Sequence, residues 1–421
     1  MKKICLTLIG IYMMMLHAYS QFQKEDTTFY LSKPLKIDEI NLVSSYYSQN
    51  GNHSAVTGGI GTEKVTDLAN GLEVKWIGWD DMHRKHTLTA GLGFDHHTSA
   101  SSAFVNKSGA SKTGGSRLYP SLNWAVENGK KGTGFELGLY YSKEYNYNSF
   151  GIDAGFSKKT KNNGELNVKL TGYFDQVKQI LPSELIPFDT LTASNGTVYV
   201  TTASGQQVAL NSGGKSSKRP GIPSKPRNTI TSSFSFSQVI NTRLQGAVLF
   251  DLVYQNGDLG LPFHRVYWND GTVHVENLPP ERFKLPIGFR LNYFLGDKII
   301  LRSYYRYYID SWGLQAHTAS LEVPVKITPF FSISPFYRYY TQTAAKYFAP
   351  YKMATPNEQY YSSNYALSKF NSNFYGAGIR IAPPAGVLGM QHISMLELRY
   401  GHYTQNIGMN ADVISMNLKF K

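Results

Sequence analysis

The sequence predicts an all-β protein: a transmembrane antiparallel β-barrel of about sixteen strands, within roughly 14 to 18, with short turns at one end and long loops at the other. Three observations carry that prediction. The chain opens with an export signal, its segments alternate with period 2 while their charges stay in phase, and its connections sort by length.

Residues 1–20, MKKICLTLIGIYMMMLHAYS, place Lys2 and Lys3 before an apolar run from Ile4 to Leu16 and end on Ala18-Tyr19-Ser20. This is the pattern of a cleavable secretory signal peptide, with cleavage expected after Ser20. Cys5, the single cysteine, leaves with it, so disulfides, thiolate metal sites and cysteine nucleophiles are excluded from the mature chain. No later stretch approaches the roughly 18 to 20 uninterrupted apolar residues of a spanning helix. Among 421 residues there are 30 Tyr, 23 Phe and 38 Gly with a mean hydropathy of −0.30, which fits many half-buried strands better than an apolar helical core. A formal charge of +13 favours anionic partners such as lipid headgroups, polysaccharide or nucleic acid.

In chain order, strands are expected near 54–66, 71–79, 85–97, 116–127, 133–146, 148–158, 164–177, 228–240, 242–256, 286–296, 298–310, 312–326, 328–343, 371–382, 391–405 and 410–421. Residues 164–175 show the alternation most clearly: Leu166, Val168, Leu170 and Phe174 share one phase, and Glu165, Asn167, Lys169, Thr171 and Asp175 the other. In 298–309, Leu301, Tyr305, Tyr307 and Ile309 oppose Lys298, Arg302 and Arg306; in 313–326, Leu321, Val323 and Val325 oppose Glu322 and Lys326. The last strand sets Ile414, Met416, Leu418 and Phe420 against Ser415, Asn417, Lys419 and Lys421, similar to the terminal signal read by bacterial barrel-assembly machinery, with Phe420 penultimate.

Short connections at NGKKG 128, KNNG 161, VINT 239, LGDK 295 and KITP 326 fall on one side of the alternation, whereas the long ones near 98–115, 178–227, 258–285 and 344–370 fall on the other. Outer-membrane barrels sort their connections this way, periplasmic turns short and extracellular loops long. The barrel is therefore expected over 54–421. Residues 21–53 are read as a periplasmic extension, a plug or a first strand, and the Gly/Ser-rich loop 178–227 as an exposed surface loop or a segment folded into the pore.

Several local patterns suggest chemistry. ALNSGGKS at 209–216 fits a phosphate loop only formally, because SKRPGIPSKP follows and cannot be helical. DDMHRKH at 80–86 offers Asp80, His83 and His86 to a metal, or is a solvated turn. His96 and His97 are adjacent on a strand and point to opposite faces. Asp310 and His317 would be the pair for an outer-membrane hydrolase; no nucleophile motif accompanies them, and the chain is not expected to be an enzyme. The stretches LRSYYRYYIDSW and FYRYY resemble base-stacking platforms, yet on a strand Tyr305 and Tyr307 point away from Arg306, which argues against nucleic acid. Tyr305, Tyr307, Tyr337 and Tyr339 read instead as an outward aromatic girdle, with Arg306 and Arg338 inward.

With the phases fixed, one half of the lumen is expected to be acidic, through Asp95, Glu136, Asp153, Glu165, Asp175 and Asp251 with Lys169 alone among them. The other half is basic, through Arg290, Arg302, Arg306, Lys326, Arg338, Arg380 and Arg399 with Glu322 and Glu397. In a water-filled lumen these walls impose a transverse field that screens solutes; in a narrow one they close it as salt bridges. About sixteen strands leave an aqueous channel, so a porin-like pore for small polar or anionic solutes is the first functional expectation, and a closed barrel binding partners through its loops the second. Outer-membrane lipid and the assembly machinery are the expected partners; no cofactor or metal is expected.

The stretch DLVYQNGDLGLPFHRVYW, then LPPERFKLPIGFRLNYFLGDKIILRSYYRYYIDSWGLQAHTASLEVPVKI, with SSYYSQNGNHSAVTGGIGTEK earlier and LELRYGHY late, resembles the outer-membrane family known as domain of unknown function 3570, common in Bacteroidetes. The resemblance implies export to the outer membrane and a β-barrel. It assigns no activity, ligand or residue role. A loose association of the family with flavin-transferring neighbours hints at envelope redox chemistry, which no residue pattern here supports.

Overall fold

The structure, a computed structural model, describes residues 32–98, 114–182, 185, 191–194, 197–201, 207–210 and 222–421. The expected signal peptide, half of the 178–227 loop and most of ALNSGGKS lie outside the described residues. The strands are β1 (Lys33–Asn50), β2 (Val65–Trp79), β3 (Arg84–His97), β4 (Gly115–Asn128), β5 (Thr133–Lys143), β6 (Tyr147–Lys159) and β7 (Gly164–Lys178). The large loop holds β8 (Leu191–Ser194), β9 (Thr197–Thr201) and β10 (Gln207–Leu210), which pair with one another as a small separate sheet. Then come β11 (Ser224–Asn241), β12 (Leu244–Gly257), the loop hairpin β13 (Arg265–Tyr267) and β14 (Val273–Val275), β15 (Glu281–Leu295) and β16 (Ile299–Asp310). The chain ends with β17 (Gln315–Glu322), β18 (Val325–Thr328), β19 (Phe331–Gln342), β20 (Phe370–Ile381), β21 (Ile393–Gln405) and β22 (Asn410–Phe420).

The main sheet contains 17 of these strands, each antiparallel to its neighbours. β17 and β18 are two halves of one crossing, interrupted at Val323 and Pro324, where proline has no N–H to give the ladder, so the wall has 16 crossings. β1 closes it, pairing with β2 on one side and, in unbroken register from Ile40↔Phe420 to Asn50↔Asn410, with β22 on the other. Among the described residues no helix is long and apolar enough to cross a membrane, which says nothing of a β-barrel.

The count of about sixteen agrees, but the first strand is not where the sequence reading put it. Residues 54–64 are a loop with one 3-10 turn, Ala55–Thr57, and Gly58, Gly59 and Gly61 all have positive φ, which an extended strand does not accommodate. The first crossing is Lys33–Asn50, inside the segment left open between plug, extension and strand, and β2 begins six residues before the predicted Gly71.

Alternation divides every crossing into an outer and an inner face. Leu92, Leu137, Phe156, Leu170, Phe250 and Ile414 are exposed on the outside, whereas fully buried apolar side chains are few and gather under the loops. In water such a surface would be a continuous aggregation-prone patch; in lipid it is the favourable one. Connections after β2, β4, β6, β11, β15 and β18 are tight turns; those after β1, β3, β7, β12 and β19 are long, and at the turn end only 382–392 is extended. Asp80 organises the first turn, accepting from the Met82 and Arg84 N–H groups and pairing with the side chains of Arg84 and His86. The hydrogen bond from His86, with those from Arg84, holds its carboxyl far below the ordinary range despite some desolvation. The DDMHRKH cluster is thus a self-satisfied turn.

One prediction follows from the inside-out wall. Leu137→Arg, at mid-strand on the lipid face, should lower unfolding stability by about 2–4 kcal/mol in lipid vesicles. Urea titration followed by the gel shift of heat-modifiable protein measures it, and an unchanged midpoint would contradict the assigned face.

Candidate functional site in the lumen

All the charged residues assigned to the lumen fall on inward positions, because each sits between lipid-facing neighbours and opposite other inward residues in the register. In the basic half, Arg399 pairs with Glu322 at 3.0 Å and Glu397 at 3.1 Å, and Arg302 approaches Glu322 at 3.8 Å. The Arg338 guanidinium lies 4.8 Å from the centre of the Phe374 ring, and Arg380 donates to the Met395 sulfur. Arg290, Arg306 and Lys326 have no ion-pair partner among the described residues.

The acidic half is more mixed than the sequence reading held. Lys169 bridges Glu136 at 3.1 Å and the fully buried Asp153 at 2.8 Å, but it is not the lone base. Arg117 pairs with Asp95 at 3.0 Å, and Arg227 with Asp175 at 2.9 Å. Each of these arginines stands directly opposite its aspartate in the β-ladder, so finding them required the register, which periodicity alone does not supply. The Glu136–Lys169 pair reaches over Gly155, where a Cβ would lie 2.5 Å from Glu136 Cγ; only glycine leaves the path clear. Glu165 and Asp251 have no ion-pair partner among the described residues.

A cavity of about 510 Å³ joins the two halves. Glu127, Glu136, Glu165, Lys169 and Asp251 line it from β4 to β12, and Tyr304 and Arg306 from β16. One row of cross-strand partners runs from Glu127 through Gly134, Ser157, Asn167, Ser235, Leu249 and Gly288 to Arg306. Most of those intermediate side chains are small or absent, and the room they leave is the cavity. A second cavity of about 470 Å³ lies toward the long loops and shares two lining residues with the first, Pro286 and Arg306.

Asp310 shapes the outer cavity. Its carboxylate accepts from Arg282, from the Tyr308 hydroxyl at 2.8 Å, and from the N–H groups of Trp312 and Leu314 at 2.9 and 3.1 Å, fixing the tight β16–β17 turn and holding Trp312 against Arg282. His317 is on the opposite face of the sheet, hydrogen-bonded to the outward Tyr305 hydroxyl at 2.8 Å. The two do not meet, so they form no hydrolytic pair. Tyr305, Tyr307, Tyr337 and Tyr339 all face outward, where the Tyr307 and Tyr337 hydroxyls donate to Gln315 and Asn373.

Above the outer cavity, loops 51–64, 258–280 and 343–369 form a packed cap, which the sequence reading did not anticipate. His53 stacks on Tyr365 with ring centres 3.8 Å apart, Arg265 donates to the Val56 carbonyl, Trp268 bridges to Ala354, and Val266 and Ala354 are 0% exposed. Glu276 ties the cap together, accepting from the Leu261 N–H at 2.8 Å, from His264 at 3.2 Å and from the Ser362 hydroxyl. Burial opposes its charge, but these donors outweigh it and hold the carboxyl below its ordinary value. Elsewhere Asp67, Asp95 and His97 bring ligand-type atoms within 4.8 Å of one another, a grouping from two strands that no sequence motif marks; Arg117 already occupies Asp95.

Among solved structures, the chain is similar to OpdQ of Pseudomonas aeruginosa, at 9% identity and a TM-score of 0.40 over 93% of this chain and 99% of that one. It is also similar to a BenF-like porin from Pseudomonas fluorescens Pf-5, at 7% identity and a TM-score of 0.42 over 91% and 98%. A bacterial polysaccharide outer membrane secretin aligns at 8% identity and a TM-score of 0.43, again over 91% and 98%. No curated protein matches the chain. The family model described as protein of unknown function DUF3570 matches residues 107–414, most of the barrel, and the chain belongs to that family.

Proposed function

We propose that this protein is an outer-membrane channel of porin type, passing small polar or anionic solutes through a lumen divided between an acidic and a basic half. The observation that carries this reading is the central cavity, a partly open space of mixed polar and apolar lining inside a closed barrel, with ionisable groups on both sides. A barrel built only as an anchor has no use for unpaired charges such as Glu165, Asp251, Arg290 and Arg306 in its interior, because each costs desolvation unless water or solute meets it. The outward tyrosines would sit at the headgroup level, and β22 would be the strand read by the assembly machinery. Correctly folded, heat-modifiable protein should give discrete conductance steps in planar bilayers. Folded protein that produces none would remove the open-channel reading.

A second reading rests on the cap. Loops 258–280 and 343–369 share a buried core, and loop 51–64 is fastened to them by the His53–Tyr365 stack and the Arg265–Val56 hydrogen bond, so the cap presents a fixed outer surface, as a protein binding a partner or surface glycan requires. Glu276 gives that surface a pH dependence whose sign is defined. Its folded-state pKa lies below the ordinary glutamate value of 4.5, so the stabilisation from the ionised carboxylate is complete above that value and is lost as pH falls through the lower, folded one. Hydrogen exchange across 258–280, taken relative to the unprotected amide rate at each pH, should therefore be slow and steady from neutral pH down to about 5, then accelerate relative to that rate on further acidification. Glu276→Gln should show the accelerated exchange already at neutral pH, by an amount equivalent to about 1–3 kcal/mol of lost protection. Equal protection in the two proteins at neutral pH would remove Glu276 from this role.

A further inference from the structure

Arg306 is the charged residue common to both cavities, and it is unmatched. Its Nε is buried without a hydrogen-bond acceptor, and it makes no ion pair among the described residues. Its inward neighbours are neutral: Tyr304 and Tyr308 on its own strand, Gly288 and Thr318 across the ladder. Arg282 is engaged by Asp310, Arg399 by Glu322 and Glu397, and Lys169 by Glu136 and Asp153, whereas Arg290 and Lys326, also without an ion pair among the described residues, line neither cavity. A buried guanidinium donor left open is costly, and its planar fork matches a carboxylate.

The same central cavity contains the opposite vacancy. Asp251 and Glu165 line it without a cationic partner among the described residues. Asp251 is on β12, separated from Arg306 on β16 by β15 alone, a lateral distance of roughly 10 Å between backbones that inward side chains shorten. A simple anion drawn to Arg306 must share the cavity with these carboxylates and with Glu127, which is likewise without an ion pair among the described residues, and a simple cation drawn to them must pass Arg306. A molecule carrying both charges avoids either conflict.

We infer that the solute class selected by this lumen is the small zwitterion, an amino acid or short peptide with a free carboxylate for Arg306 and a free ammonium for Asp251. This rests on the channel reading and narrows its solute. The cavity of about 510 Å³ is of a size to hold such a molecule with some water, and the shared position of Arg306 makes the carboxylate site the step between the two cavities.

The test uses the full mature chain in proteoliposomes and four solutes of similar size: glycylglycine as zwitterion, N-acetylglycine as anion, glycylglycinamide as cation and N-acetylglycinamide as neutral reference. Osmotic swelling should be fastest with glycylglycine. Arg306→Gln should reduce glycylglycine entry about tenfold, the size of one lost charge-assisted hydrogen bond, and leave the neutral solute unchanged. Asp251→Asn should act in the same direction, and Arg306→Lys should keep part of the advantage, which a mere folding defect would not restore. If the neutral solute enters and glycylglycine has no advantage over it, or if N-acetylglycine is faster, the zwitterion inference fails while the channel stands. If folded protein admits none of the four, both fail together.

Discussion

The whole molecule depends on one requirement: in lipid, every backbone N–H and C=O of the wall must find a partner within the wall. A sheet with two free edges cannot meet it. Here the requirement is met where β1 joins β22, the two ends of the described chain, along a ladder without a bulge. That junction makes the wall continuous, and continuity lets alternation do the rest. Once the outer phase belongs to lipid, the inner phase becomes the place for polar and charged side chains, so the lumen takes the chemical role that an apolar core has in a soluble fold.

A polar interior raises its own difficulty, because charges taken from bulk water need company. Most of the interior solves this locally. Arg117 faces Asp95, Arg227 faces Asp175, and Arg282 lies beside Asp310, each pair on adjacent strands, so the register that satisfies the backbone also places the counterion. Lys169 and Glu136 reach across an intervening strand, and the strand between them offers only Gly155 at that level. The residual charges, Arg306 and Asp251 above all, fall outside these pairings and line the enclosed space.

What could be read from the sequence follows from the range of the interactions. Alternation is a local property, and the face of Arg306, Tyr305 or Glu165 follows from its immediate neighbours. Turn chemistry is local too, which is why most strand boundaries came within a few residues of those observed. β1 was hard to place because polar residues occupy both of its phases, Ser44 outward and Ser45 inward, so its identity comes from its pairing with β22, far away in sequence. The arginines opposite Asp95 and Asp175 are invisible without register. The cap is the most distant case: Glu276 meets Ser362 and Arg265 meets Val56, contacts between loops that no window on the chain brings together.

The two arginine-centred tyrosine stretches show why pattern and function diverge. In each, the tyrosines flanking the arginine in sequence belong to the membrane side of the wall and the arginine to the water side, so the cluster is an interleaving of two surfaces. Yet the two arginines differ in a way that alternation does not encode. Arg338 rests on the Phe374 ring contributed by the next strand, whereas Gly288 and Thr318 beside Arg306 offer it neither ring nor carboxylate. Nearly identical local sequence, YYRYY and FYRYY, thus yields one arginine already accommodated and one left open between two cavities. The difference comes from neighbouring strands, which leave Arg306 without an ion-pair partner where the two cavities meet.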